Sequence, residues 1–306
     1  MNHIIANNVG KRLIVIENEF GTSIGVESLI ARLGVESKEL AGFYEIGNGC
    51  LCCTVKDSLL STLERVVATR IDQVDLILIE TTGLANPGPV IEVFWTDQAV
   101  NTSLYLDGVV AVIDCRNFHQ TIENGVPLEL AAQVCYSDRI VINKVDLVDE
   151  AILNSVTSSI RDMNPLATIA HSSYCSIDLN FVFNLSSYHL DSHKNRLTSN
   201  LYSLSLIHAT SPSAWSTVLE TTSTCISRQS FNTWMSRLVE CKDIMRIKGI
   251  VMLDGCWTLV QCVYGLYDLV QLDGAALEGL NVSKSKVVVI LRMPISACSD
   301  LLQFPS

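Results

Sequence analysis

Three thiols lie within four residues of one another, in Gly49-Cys50-Leu51-Cys52-Cys53-Thr54. On a loop, Cys50, Cys52 and Cys53 can converge on one metal ion. Zn2+ accepts thiolates in tetrahedral sites, and three protein ligands leave a fourth position for water, a carboxylate or a partner's residue. Cu(I) is also thiolate-loving, so softness alone leaves it open. Gly47-Asn48-Gly49 ahead of the run reads as a tight loop, which favours ligands over cysteines packed in a core. A redox pair would show C-x-x-C spacing beside a thioredoxin-like pattern, and C-x-C-C ranks that chemistry last.

A second group of residues has the types and spacing to handle a nucleotide. Asn143-Lys144-Val145-Asp146 has the form N-K-x-D and follows an apolar run. The Asp146 carboxylate can accept hydrogen bonds from N1–H and the 2-amino group of guanine, a donor pair that adenine lacks, while Asn143 and Lys144 brace the loop and cover the base. Glu80, at the end of another apolar run and ahead of Thr81-Thr82-Gly83, is placed to hold Mg2+ through water. Gly83 would let the backbone approach a terminal phosphate and act as a hinge. Glu17 and Glu19, before Gly21, can serve Mg2+, the transition metal or both; the plainer alternative is solvated loop carboxylates. His189 and His193 are four apart without an acidic or thiol partner, and read as a solvated linker.

These residues need a scaffold. Lys11–Glu17, Asp75–Glu80, Asp107–Asp114 and Arg139–Asn143 are short β-branched runs ending in polar residues, separated by amphipathic segments such as Leu59–Arg70 and Leu128–Tyr136. Strands alternating with helices predict a parallel α/β sheet, whose ligands lie beyond the carboxyl ends of the strands. Those ends carry Glu17, Glu80, Asp114 and Asn143-Lys144. The stretch Ser172–Asn200 loses periodicity and is rich in Ser, Asn and His. Beyond it, strands over Leu201–Ile207, Ile247–Leu253, Thr258–Tyr264 and Val287–Leu291, with helices over Phe231–Val239 and Ile295–Phe304, predict a small α+β domain with an antiparallel sheet. Trp215, Trp234 and Trp257 are expected in its core.

Composition narrows the class. At 306 residues the chain can bury a sizeable core and holds two domains on length alone. Net charge is −11, against the basic footprint that nucleic-acid binding needs. It is 48% hydrophobic, with a mean hydropathy of +0.32. No segment reaches roughly 18 apolar residues without a charge, so no membrane span is expected. Met1–Asn8 lacks the features of a signal peptide. The eleven cysteines include Cys115, Cys135, Cys241, Cys256 and Cys262 in apolar segments, which fits reduced thiols in a cytoplasmic protein.

With these residues in hand, the chain resembles the CobW-like GTPases, relatives of the nickel-insertion GTPases HypB and UreG. The resemblance covers nearly the whole chain. It is carried by Glu17–Gly21 (ENEFG), Gly49–Cys53 (GCLCC), Glu80–Val90 (ETTGLANPGPV), Leu106–Asp114 (LDGVVAVID), Asp138–Leu147 (DRIVINKVDL) and Arg246–Val251 (RIKGIV). It implies a parallel-sheet P-loop GTPase domain, assigned to 1–185, followed by a small α+β CobW C-terminal domain at 200–306. It also implies GTP hydrolysis coupled to delivery of a metal, often zinc, to a client metalloprotein. By the match, Cys50, Cys52 and Cys53 hold the metal, Glu80 is the Walker B acid, and Asn143, Lys144 and Asp146 bind guanine.

Family members open with a strand and a G-x-x-G-x-G-K-T loop leading into a helix. Here Met1-Asn2-His3-Ile4-Ile5 matches the interior of that helix, so roughly twenty family residues, a strand plus the phosphate loop, have no counterpart. The expectation is that the sequence starts at an internal methionine of a longer protein. The alternative is a degenerate, non-hydrolysing metal-binding or scaffold paralogue, in which strands beside the absent one keep unpaired edges. Thr22 also stands where relatives often carry an acid, and the linker lacks the long His-rich run of some members. Client, metal and homo-oligomeric state are left open by the sequence.

Overall fold

The computed structural model describes residues 1–7, 10–17, 40–45, 54–83, 85–188, 216–221, 225–273, 277, 282, 284–291 and 300–305. The chain divides into two compact units, Met1–Tyr105 with Cys175–Phe183, and Leu106–Tyr174 with Asn184–Ser306.

The first unit contains α1 (Asn2–Asn7), β1 (Leu13–Glu17), β2 (Leu40–Glu45), α2 (Thr54–Arg70), β3 (Leu76–Glu80), α3 (Gly88–Thr96) and α4 (Gln98–Asn101). Its sheet is parallel in the order β2-β1-β3. The central strand is an unbroken apolar run, Leu13 to Ile16, buried throughout, as a strand covered on both faces requires. Leu59, Leu63 and Val66 of α2 are buried at helical spacing. β1 and β3 begin at Leu13 and Leu76, after the Lys11 and Asp75 expected from the sequence, because the residues ahead of them tie the strand starts together. Arg12 Nη2 donates to Asp75 Oδ1 at 2.8 Å, and its backbone amide donates to Asp75 Oδ2 at 2.8 Å.

The second unit opens with β4 (Val110–Asp114), α5 (Cys115–Asn124), α6 (Leu128–Tyr136), β5 (Arg139–Asn143), α7 (Glu150–Met163) and β6 (Thr168–His171). Its parallel sheet has the order β4-β5-β6. β4 starts at Val110 and not at Asp107, because the Asp107 carboxylate accepts from the amides of Leu185 (3.0 Å) and Ser186 (2.6 Å). Among the described residues β3 pairs only with β1 and β4 only with β5, so each keeps one unpaired edge. Val112 on β4 is 61% exposed.

The unit continues with β7 (Ser216–Thr221), α8 (Arg228–Glu240), β8 (Ile244–Leu253), β9 (Cys256–Val263), β10 (Leu266–Gln271) and β11 (Ser285–Leu291). They form an antiparallel sheet in the order β10-β9-β8-β11-β7. Phe231, Trp234, Met235 and Leu238 of α8 form one core with Ile247, Val251 and Leu253 of β8 and with Val287, Val289 and Leu291 of β11. The antiparallel α+β expectation is met here. Trp234 is buried as expected, while Trp257 is only half-buried. Residues 300–305 form a turn followed by irregular chain where a closing helix was expected. The Leu301 carbonyl accepts from Trp234 Nε1 at 3.0 Å in place of a helical amide, and Pro305 has no amide to give. Residues 295–299, the expected strand over Leu201–Ile207 and Trp215 lie outside the described residues. No helix among the described residues is long and apolar enough to cross a membrane.

Candidate functional site

The N-K-x-D residues sit at the carboxyl end of β5, where the parallel-sheet rule places ligands. Asn143 closes the strand and is 8% exposed. The chain then turns through Lys144 at φ 62° into a single 3-10 turn, Val145–Leu147. A lysine in the left-handed region is uncommon and marks a loop shaped by more than local preference. Lys144 Nζ donates to Asp114 Oδ2 at 2.6 Å. Asp114 ends the neighbouring strand, opposite Asn143 in the register. Its carboxylate also caps α5 by accepting from the Asn117 amide at 3.1 Å. Burial opposes ionisation of Asp114, but the bonds from Lys144 and Asn117 outweigh it and hold its pKa below the ordinary value. Asp146 is exposed, and no partner engages its carboxylate among the described residues. An acceptor-only group left open beside a braced lysine fits the donor edge of guanine.

A third strand end joins this loop. After β6, Ser172 donates its amide to the Ile142 carbonyl at 2.9 Å and accepts from the Val145 amide at 3.3 Å. Ser172 is buried, and Tyr174 two residues on is 88% exposed with φ 57°. This supporting loop escaped the reading of the sequence. Its only signal was a polar break after the short apolar run Thr168–Ala170, which periodicity does not distinguish from an ordinary turn.

In the first unit, Glu17 and Glu80 end adjacent parallel strands and are Cα partners; Glu45 pairs with Glu17 on the other side. Three strands therefore finish level, each in a glutamate. Glu17 is half-buried and Glu80 exposed. Glu45 was missed because Gly42 and Tyr44 break the β-branched pattern of its strand. Carboxylates are hard oxygen ligands of the kind Mg2+ takes, so Glu17 and Glu80 fit that ion chemically. After β3 the Ala85 amide bonds the Thr82 carbonyl at 3.0 Å. Gly83 is exposed, its φ lies outside the left-handed region, and an added Cβ would meet nothing within 4 Å. The fold itself therefore does not require glycine there.

Cys50, Cys52, Cys53 and Glu19 lie outside the described residues, as do His189 and His193. Among the described residues no group of three His, Cys, Asp or Glu side chains could hold a metal. Of the cysteines expected in apolar surroundings, Cys115, Cys135 and Cys262 are buried, while Cys241 and Cys256 are only half-buried. Burial pushes the Cys135 and Cys262 thiols up to about 12. Such thiols are poor thiolate donors at neutral pH.

The fold and these strand ends define an α/β nucleotide-binding protein that carries an antiparallel α+β sheet in its C-terminal half. The chain belongs to the CobW/HypB/UreG family, whose nucleotide-binding domain matches residues 1–171. It is 36% identical over 207 residues to zinc-regulated GTPase metalloprotein activator 1 of Schizosaccharomyces pombe, covering 66% of this chain and 47% of that protein. It is 32% identical over 196 residues to the zinc chaperone YjiA of Escherichia coli, covering 62% of this chain and 58% of that one. The matches thus span about half the length of these relatives. The crystal structure of Zn(II)-bound YjiA GTPase superposes with a TM-score of 0.70 at 23% identity, over 98% of this chain and 92% of that one.

Proposed function

We propose that the protein is a GTP-dependent zinc metallochaperone. The observation that carries this reading is the loop after β5, here called the base-reading loop for the role proposed for it: Asn143 is buried, Lys144 is pinned to Asp114, and Asp146 is exposed with no partner on its carboxylate among the described residues. The names of its relatives, zinc-regulated GTPase activators and zinc chaperones, support the same reading. Asp146 would select guanine, and the braced Lys144 stem would cover the base. Glu80, with Glu17, would hold Mg2+, which supplies positive charge to the phosphate oxygens. Gly83 would leave room for the nucleotide's terminal phosphate. Cys50, Cys52 and Cys53, with Glu17 or Glu19, would bind the zinc cargo. Residues 1–185 would carry nucleotide and metal, and residues 200–306 would meet the client metalloprotein. A cytoplasmic, reducing setting would keep three such thiols available as ligands.

Because the cysteines follow β2 and precede α2 in sequence, while Glu17 and Glu80 end the adjacent strands, nucleotide state can alter the shape of the metal loop. Hydrolysis would then weaken zinc binding or client docking. A GTP-binding and phosphate-release assay on the protein tests turnover; binding without hydrolysis would leave a metal-binding scaffold.

The zinc assignment is tested by titration against a chromophoric chelator. Wild-type protein is expected to bind one zinc tightly, and Cys52→Ala/Cys53→Ala to lose that binding. Tight stoichiometric binding by the double variant would overturn the assignment.

A further inference from the structure

Two sequence motifs, Asp138–Leu147 and Arg246–Val251, meet in space, and neither the nucleotide nor the metal chemistry accounts for the meeting. Arg246 is 1% exposed and Lys248 5%. They alternate along β8 onto one face, while Ile247 and Val251 on the other face pack with α8. Arg246 Nη1 donates to the carbonyls of Tyr136 (2.8 Å) and Ser137 (3.0 Å), at the end of α6. Its Nη2 donates to the Asp138 carboxylate. Lys248 Nζ reaches the same oxygen at 3.2 Å, and the other oxygen accepts from the Val109 amide at 3.0 Å, just ahead of β4. The Tyr188 ring lies 5.7 Å from both cationic groups.

Asp138 is the residue immediately before β5, and the base-reading loop begins where β5 ends. A five-residue strand is only about 17 Å long, and Ile140, Val141 and Ile142 within it are buried. A short strand packed on all sides cannot absorb a displacement at one end, because close-packed interiors transmit strain. A side chain that fixes the start of β5 therefore also fixes the position of Asn143 to Asp146. Ordinary core packing would not need this arrangement. Burying two cations against one carboxylate is costly, and an apolar contact of the same volume would serve stability as well or better.

We infer that the Arg246–Asp138 pair is a coupling joint: Arg246 acts through Asp138 and β5 as a positioning residue for the base-reading loop, linking the five-stranded sheet to guanine affinity. The inference rests on the guanine reading of that loop. By reciprocity, whatever displaces β8, such as a client on that sheet, changes nucleotide affinity, and nucleotide changes client affinity by the same factor.

The test compares Arg246→Met with Val251→Ala, which weakens the opposite face of the same strand and leaves Asp138 untouched. Amide hydrogen exchange is followed without nucleotide, and affinity for a fluorescent GDP analogue is measured separately. In Arg246→Met, exchange over residues 143–148 is expected to rise about tenfold, with α8 and β9 within about twofold of wild type. GDP affinity is expected to fall by a similar factor. Val251→Ala is expected to speed exchange in β8 and α8 without singling out 143–148. A rise spread evenly over the second unit, or none at 143–148, overturns the joint. If Arg246→Met does not fold, Arg246→Gln, which keeps a donor for the Ser137 carbonyl, carries the same comparison. Absence of GDP binding by wild-type protein would refute the guanine reading, while the exchange pattern would still decide the mechanical coupling.

Discussion

The chemistry of this chain separates by how each side chain is held. Lys144 and Asp114 are committed to each other, whereas the Asp146 carboxylate has no partner among the described residues. On the proposed reading its work is done on the ligand. Asp146→Asn replaces one acceptor by a donor that faces the guanine N–H groups. One charge-assisted hydrogen bond gives way to a donor–donor clash and the other weakens to a neutral one, so guanine-nucleotide affinity is expected to fall on the order of a hundredfold. Fluorescent-GDP competition checks this, and unchanged affinity would remove Asp146 from the base site. The thiols divide in the same way. Cys135 and Cys262 are held protonated by their surroundings, which leaves the C-x-C-C run as the sequence feature best suited to thiolate ligation. Since its ligands must be deprotonated, zinc uptake is expected to release protons and to weaken steadily as pH falls from 7 to about 5. A titration in buffers of different ionisation enthalpy measures the released protons. The types of these residues were legible in the sequence. Which carboxylate was committed and which open was not, because that depends on Asp114 and Lys144 meeting across adjacent strands.

Among the elements, those whose pattern has a single cause were the most legible. β5 and α6 have the limits their apolar runs suggest. β2 was hidden by Gly42, and the starts of β1, β3 and β4 were trimmed by side chains of Arg12, Asp75 and Asp107 bonding to distant backbone or to each other. Gly249 on β8 shows a constraint that belongs to the pairing of two strands. A Cβ there would lie 2.7 Å from the Lys286 carbonyl oxygen and 2.7 Å from Val287 Cγ2. The oxygen belongs to the backbone of β11 and cannot swing aside, so the strands would have to part. Gly249→Ala is expected to cost about 1–3 kcal/mol, seen as a lower urea midpoint at unchanged slope. A midpoint equal to wild type would show that β11 yields freely.

For the molecule as a whole, the buried charge cluster makes stability depend on pH in two windows. Burial disfavours the charged form of Asp138, yet Arg246 and Lys248 outweigh it and bring its pKa down to about 2. A depressed carboxyl contributes stability above its unfolded pKa of about 4, lost as pH falls toward 2. Lys248 behaves in the opposite sense. Burial first, then Arg246, lowers its pKa from 10.5 to about 8, so between those values the unfolded state binds more protons and stability gains from rising pH. Cys135 and Cys262 pull the other way once pH passes their ordinary value of 9.0. The part due to Lys248 is therefore read as a difference. Any stability advantage of Lys248→Met over wild type is expected to shrink between pH 8 and pH 10 in urea unfolding. A constant difference across that range would show that Lys248 keeps its ordinary pKa.

By itself the sequence determined the family, the alternation of strands and helices, and the residue types at the strand ends, because each is written in local runs a few residues long. Only the tertiary structure decided that Glu45, Glu17 and Glu80 finish level, that Ser172 braces the loop of Asp146, and that Asp138 is held by Arg246, 108 residues away. Register and buried ion pairing arise from the simultaneous packing of distant segments, and neither leaves a periodicity in the chain.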